Sequence, residues 1–347
     1  MNLIRTLRKT YLLLFLILLT VFMSCDLNKE KRGNVLENNQ VAFYSQKDSS
    51  MYSIDLDNNN KRKLFTLETA RFSEVNWPAL SPDGNKIAYA DERNGVYGVY
   101  YYNLQSKKHI KFWEGTYKKD GPVSGGVMDW HKDLGPILAI KEFEIRNLDT
   151  YVLKDSLFKT FEKGNTEVYD FYKLRDTAYI NLTNNKSQNA DTPPWNTFIA
   201  AHSNGNISFW GLGFDEEKGD INRTDLNIVN LNRKDKRRIF DLLNIGFTGQ
   251  NMWCHDISED GKWLLFSTDG DIVLIELENP ANIINLTNSK DQIDIMPKFN
   301  SDDTKIVYSS GDGKKFNIFT MNFDGGNKQA HTTGNNHYIH SRYKLDY

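Results

Sequence analysis

Apolar residues in this chain come in short alternating bursts, without the three-to-four-residue rhythm of helices, and the bursts repeat. Three stretches align over twelve columns without a gap: Pro78 to Tyr89, His255 to Phe266 and Pro297 to Tyr308. Each predicts a strand, a tight turn and a second strand that is apolar almost throughout. Asp83-Gly84 and Asp260-Gly261 supply the positive φ that such a turn needs, and Asp303 holds the glycine position in the third copy. A third, alternating strand is predicted at Tyr97 to Leu104, Asp271 to Leu277 and Phe316 to Phe323. A shorter, more polar fourth follows at His109 to Phe112, Ile284 to Thr287 and Lys328 to Thr332.

Four short antiparallel strands per unit, with His255 and Pro297 spaced 42 positions apart, describe the blade of an all-β propeller. The turn Ser81-Pro82-Asp83-Gly84 and the strand Ile318 to Asn322 resemble the TolB-type propeller repeat. Two weaker copies keep the rhythm, Met128 to Ile140 and Phe198 to Phe209; the second has Ser203-Asn204-Gly205 as its turn and is followed by Leu226 to Leu231. The stretch between them is too long for one blade. Lys163 to Pro194 reads either as an insertion or as a degenerate blade, with two strands within Tyr169 to Leu182. The expected architecture is therefore six-bladed, with seven blades the alternative.

The first unit opens at Val41 to Tyr44, which matches the second strand of a blade, and continues through Met51 to Leu56 and Arg62 to Thr66. Its first strand is missing. His337 to Tyr343 lies one period beyond Pro297 with no partner strands after it, so it is expected to pair with Val41 to Tyr44 and close the ring.

Before the repeats, Arg5, Arg8 and Lys9 precede an apolar run from Tyr11 to Met23, too short to span a bilayer, which takes about 20 residues. Residues 1–24 read as a signal peptide. Ser24-Cys25 resembles the lipobox of bacterial lipoproteins, although Phe22 and Met23 depart from its commoner residues. The resemblance implies lipidation of Cys25 and anchoring at the cell envelope, on the outer membrane or the periplasmic face. Asp26 to Gln40 are polar and rich in Asn, Lys and Glu, so the domains expected after the signal are a flexible tether over 25–40 and the propeller over 41–347. The alternatives are an uncleaved anchor or plain secretion. Cys254 is then the remaining cysteine of the mature chain, so no internal disulfide is expected.

The precursor carries a net charge of −2, and loss of the three positive residues of the signal leaves −5, which argues against a nucleic-acid partner. The basic run Arg233 to Arg238 leads into an outermost strand, where charge guards an exposed edge.

Nucleophile elbows, phosphate loops and paired-cysteine metal sites are absent from the sequence. Gln250-Asn-Met-Trp-Cys-His255 bears a weaker resemblance to oligogalacturonate lyase propellers, in which a Gln-x-x-His-x-His run and a histidine from an earlier blade hold a divalent metal. That resemblance implies Gln250, His255 and His202 as ligands, with Trp253 standing where the middle histidine belongs. The opposing view is that His255 merely replaces Pro78 and Pro297 in the repeat. Trp113, Trp195, Trp210, His337 and His340 are the loop or channel positions suited to binding, and Lys118 to Gly126 and Asp215 to Arg223 are expected as long loops. The function expected is non-catalytic: an envelope-anchored scaffold binding a protein, peptide or glycan, with no cofactor. The alternative is a metal-dependent polysaccharide lyase or hydrolase.

Overall fold

The computed structural model describes residues 35–37, 39–45, 47–68, 78–114, 124–145, 165–175, 178–181, 196–202, 205–215, 220–230, 235–241, 254–300, 302–333 and 337–340. The expected signal peptide, Cys25 and most of the expected tether lie outside them.

Among these residues the chain forms six four-stranded antiparallel sheets. The first holds β1 (Gln40–Ser45), β2 (Ser50–Asp55) and β3 (Lys61–Thr66). The second holds β4 (Ala79–Leu80), β5 (Lys86–Arg93), β6 (Val96–Asn103) and β7 (Lys108–Glu114). The third holds β8 (Ser124–His131), β9 (Gly135–Ile145), β10 (Asn165–Arg175) and β11 (Ala178–Asn181). The fourth runs through β12 (Asn196–Ala201), β13 (Asn206–Asp215), β14 (Asp220–Asn230) and β15 (Asp235–Asp241). The fifth comprises β16 (His255–Ile257), β17 (Trp263–Thr268), β18 (Asp271–Glu276) and β19 (Ile283–Asn285). The sixth comprises β20 (Ile293–Phe299), β21 (Lys305–Gly311), β22 (Phe316–Asn322) and β23 (Gln329–Ala330).

The fourth strand of the first sheet comes from the other end of the chain. β24 (His337–His340) lies on β1, with Phe43 opposite His340 and Tyr44 opposite Ile339. The strands within Tyr169 to Leu182 join the third sheet as parts of β10 and β11, so they make no separate sheet. Of Asp215 to Arg223, expected as a loop, the described residues are paired strand: β13 and β14 pair out to Asp215 opposite Asp220, past a register shift between Gly211 and Leu212. Ser124 to Gly126, expected at the end of another loop, likewise belong to β8.

The second strands carry apolar runs, Val41 to Tyr44, Ile87 to Ala90, Leu264 to Phe266 and Ile306 to Tyr308, because both of their faces are covered there. Side chains alternate across a strand. Ala42 and Tyr44 of β1 pack with Leu80, Ile87 and Tyr89 of the second sheet, whereas Val41 and Phe43 pack with Val307 and Ile318 of the sixth. The sixth sheet repeats the arrangement, turning Ile306 and Tyr308 to Leu265 and Leu274 of the fifth while Val307 faces the first. Phe43, Ile87, Leu265 and Ile306 are fully buried, each contributing roughly 1.5–3 kcal/mol. Trp263, half-buried, stands edge-on to Phe323 at 5.4 Å beside this last cluster.

The turns carry the repeat's chemistry. Gly84, Gly261 and Asp303 all take left-handed φ values, 68°, 73° and 56°. Asp83, Asp260 and Asp302 each accept a backbone N–H two residues on, at 3.0, 3.0 and 3.2 Å, so these aspartates form Asx turns. Pro297, which has no N–H to give, falls in the irregularity of β20 where pairing shifts between Ile295 and Lys298.

Candidate functional site

Two histidines singled out by the sequence, His202 and His255, meet where the fourth sheet neighbours the fifth, and the inner hairpin turn explains how. In the second and fifth sheets the turn opens on a serine whose hydroxyl accepts the N–H five residues on: Ser81 from Lys86 at 2.8 Å and Ser258 from Trp263 at 2.9 Å. Asn300 does the same in the sixth sheet with its carbonyl, accepting from Lys305 at 2.8 Å. Histidines take this place in the third and fourth sheets.

His131 accepts the N–H groups of Asp133 and Leu134 on Nδ1, at 3.1 and 3.2 Å. Its proton therefore sits on Nε2, which donates to the carbonyl of Gly205 in the fourth sheet at 2.9 Å. Burial holds this imidazole below its usual pKa and so keeps it neutral. His202 opens the next turn: its N–H donates to the Asn206 carbonyl at 2.9 Å and its own carbonyl accepts from Gly205 at 3.0 Å.

From there a polar chain crosses to the fifth sheet. His202 Nε2 lies 2.6 Å from Ser208 Oγ, and the same oxygen lies 2.7 Å from His255 Nε2. His202 is 6 % exposed, Ser208 0 % and His255 1 %. One hydroxyl carries one proton, so with both rings neutral one imidazole accepts from Ser208 and the other donates to it. A serine beside an imidazole is the raw material of a nucleophile. Here, however, the hydroxyl is sealed from solvent and spent on two ring nitrogens, which makes it a latch between sheets.

Backbone and side chain continue the same wiring. Asp129 Oδ2 accepts the N–H of Ala201 at 2.9 Å, while its Oδ1 accepts from Trp130 at 2.8 Å. Two sheets later Asp256 Oδ2 accepts from Phe299 at 3.1 Å, and Lys298 Nζ donates to the His255 carbonyl at 2.9 Å. Between the sixth and first sheets, His331 Nδ1 donates to Asn59 Oδ1 at 2.6 Å and its Nε2 accepts from Thr320 Oγ1 at 2.7 Å.

Of the residues proposed as metal ligands, His202 and His255 are thus brought together and Gln250 lies outside the described residues. Both imidazoles turn Nε2 onto the Ser208 hydroxyl. Among the described residues, no group of three or more His, Cys, Asp or Glu is placed to hold a metal ion. Trp113 lies in β7 opposite Val99, and Trp210 in β13 opposite Leu226; His337 and His340 are the end residues of β24. These positions fall on three different sheets, and Trp195 lies outside the described residues. Cys254 is buried beside His255 in the chain.

Sequence reasoning missed Ser208, Asp129, Asp256, His131 and His331. The two aspartates had a visible signal, since each stands two residues before the turn-opening residue of its copy. Ser208 had none, being one small polar residue in an otherwise apolar strand.

No protein-family model matches this chain, and no curated protein does. Solved structures do. TolB from Acinetobacter baumannii is similar with a TM-score of 0.57 at 13% identity, over 89% of this chain and 68% of that one. A putative TolB from Agrobacterium tumefaciens is similar with a TM-score of 0.50 at 17% identity, over 87% and 92%. A chain of the nidogen/laminin complex is similar with a TM-score of 0.53 at 7% identity, over 88% and 99%. Identities this low speak to fold alone, and the fold is a β-propeller similar to the TolB type.

Proposed function

We propose that this β-propeller is a non-catalytic binding scaffold of the bacterial cell envelope, displayed from a lipid anchor on Cys25 and presenting its loops and rim to a protein, peptide or glycan. In this reading residues 1–24 are removed as a signal peptide and residues 25–40 are the tether. The six sheets are the six blades, and β24 closes the ring between the first and the sixth.

One observation carries the reading. The buried groups that would serve catalysis in another protein are used here to fasten sheet to sheet: Asp129 to Ala201, His202 through Ser208 to His255, Asp256 to Phe299 and His331 to Asn59. A polar network satisfied in this way rigidifies a fold, and rigid propellers place their function on loops held by the scaffold. The meeting of His202 and His255 supports a second reading, a metal-dependent polysaccharide lyase in which Gln250 joins them.

The test is made in cells. The full-length protein carries a photo-crosslinking residue at Trp113 or at His337, and is compared with Cys25→Ala. The scaffold reading expects radiolabelled palmitate on the wild type and none on Cys25→Ala, together with a discrete crosslinked partner that requires the anchor. A chain that takes no lipid overturns the anchoring. Turnover of polygalacturonate by the purified protein, abolished in His255→Ala, overturns the non-catalytic reading.

A further inference from the structure

Between the fifth and sixth sheets, away from the histidine link, lies a buried carboxylate. Asp294 stands on β20 directly opposite Ser310 of β21, so the two side chains share a face. Ser310 in turn shares its side of β21 with Ile306 and Tyr308, which pack on the fifth sheet. Asp294 therefore points into the layer between the two sheets. Its N–H, bonded to the Gly270 carbonyl at 2.8 Å, holds it beside the β17–β18 tip. From the facing wall, Ser267 of β17 points into the same layer, on the side of Leu265 that packs on the sixth sheet.

Both side chains are sealed, Asp294 at 2 % exposure and Ser267 at 0 %. Asp294 Oδ2 accepts from Ser289 Oγ at 2.6 Å. Asp294 Oδ1 and Ser267 Oγ are buried and have no hydrogen-bond partner among the described residues. Burial, with the Asp294 carboxylate adding, raises the pKa of Tyr308, so the charge acts on the phenol beside it.

The second sheet meets the same problem with an internal cation. Asp91 follows Tyr89 by two residues, as Ser310 follows Tyr308, and it is also 2 % exposed. Arg93 Nη1 lies 3.3 Å from Asp91 Oδ2, and the N–H groups of Glu68 and Glu92 reach the same carboxylate at 3.1 and 3.0 Å. Where the second sheet has Arg93 the sixth has Asp312, and none of the ion pairs among the described residues includes Asp294. A buried charge is costly unless it is paired.

The groups around this carboxylate are oxygen donors. Ser289 and Ser310 donate their protons to Asp294 Oδ2 and Gln292 Oε1, the second at 2.9 Å, and keep lone pairs on their own oxygens. Oxygen donors suit a hard cation, and one carboxylate among neutral hydroxyls balances a single positive charge. We propose that Asp294 and Ser267 hold a monovalent metal cation, sodium or potassium, between the fifth and sixth sheets, with Ser289 and Ser310 as neighbouring donors. The assignment goes beyond the scaffold reading and does not depend on it, because neither the lipid anchor nor a partner enters the argument.

The test is the unfolding temperature of the purified protein in sodium, potassium or tetramethylammonium chloride at equal ionic strength, which makes screening the same in all three. A cation bound only by the folded chain raises that temperature. Sodium or potassium is expected to give at least about 2 °C over tetramethylammonium in the wild type, and the larger shift identifies the ion. Asp294→Asn is expected to erase the difference, and Ser267→Ala, which removes one neutral donor, to reduce it by half or more. Comparing salts within each variant cancels the variant's own change in stability. The proposal is overturned if the wild type unfolds at one temperature in all three salts, or if either variant keeps the full difference.

Discussion

Asp129 of the third sheet accepts a hydrogen bond from the backbone N–H of Ala201 in the fourth, 2.9 Å away and 72 residues further along the chain. Asp256 makes the equivalent bond to Phe299, from the fifth sheet to the sixth. Both carboxylates are buried, at 5 % and 0 % exposure. Each sits two residues before a hairpin turn on a first strand, so one position of the repeat serves twice as a clasp.

Removing either clasp strands a buried N–H. Asp129→Ala leaves the N–H groups of Trp130 and Ala201 unanswered, and Asp256→Ala leaves that of Phe299. Each is expected to cost about 1–3 kcal/mol of unfolding free energy. Denaturant titration checks this. A loss below about 0.5 kcal/mol would mean that the bonds are incidental.

Acid should loosen the protein through its histidines. Burial depresses His109 to about 4 and also lowers His131 and His331. Below about pH 6.5 the unfolded chain takes up protons that these native imidazoles refuse, so stability rises with pH and is lost on acidification. Unfolding temperatures measured from pH 7 down to pH 4.5 are expected to fall steadily. His131→Asn puts at this turn the residue that Asn300 already supplies in the sixth sheet, and it should make the decline shallower. An unchanged slope in that variant would take His131 out of the account.

Asp303 works in the opposite direction. Burial pushes its carboxyl up to about 6, and the neighbouring Asp256, Asp260 and Glu259 add to the shift. The native state then holds this proton more tightly than the unfolded chain, so its contribution is lost as pH rises through that value. Asp303→Asn keeps an acceptor for the Glu259 N–H, which lies 2.7 Å from the carboxylate, and tolerates the left-handed φ of 56°. It is expected to stabilise the protein at pH 7 by about 1 kcal/mol, after discounting for solvent screening at a half-buried site, and to have no such effect at pH 4. A destabilising effect at pH 7 would contradict this.

The termini give a further prediction. β24 covers an edge of β1 whose residues Phe43 and Tyr44 are buried. Deleting residues 336–347 uncovers that edge and is expected to lower the unfolding temperature of the whole domain in a single transition and to promote association through the bare strand. Thermal unfolding followed by circular dichroism, with light scattering for association, checks both. Unchanged unfolding would refute closure of the ring by this strand.

The parts legible in the sequence were those set by neighbours along the chain. Asp83-Gly84 and Asp260-Gly261 mark their turns because a local left-handed φ demands those residues, and the apolar second strands follow immediately. Ser208 was invisible because its role is defined by His255, 47 residues away on another sheet. The link from His331 to Asn59 spans 272 residues and left no trace in either segment. Asp215 to Arg223 reads as a loop because its residues are polar and include Gly219, yet backbone pairing with no apolar requirement extends the β13–β14 hairpin out to Asp215 opposite Asp220. His202 and His255 were picked out from a resemblance to a metal site, and the structure places them together on a serine that the resemblance did not contain.

In the proposed function this pair of histidines, joined through Ser208, fastens the fourth sheet to the fifth and takes no part in a reaction. Metal content of the purified chain, residues 26–347, tests it most directly, measured by elemental analysis beside His255→Ala and Ser208→Ala. No stoichiometric manganese, calcium or zinc is expected in the wild type, and Ser208→Ala is expected to lose about 2 kcal/mol of stability, because two buried ring nitrogens lose the hydroxyl between them. One divalent ion per chain, lost in His255→Ala, would contradict it and point to a metal-dependent lyase.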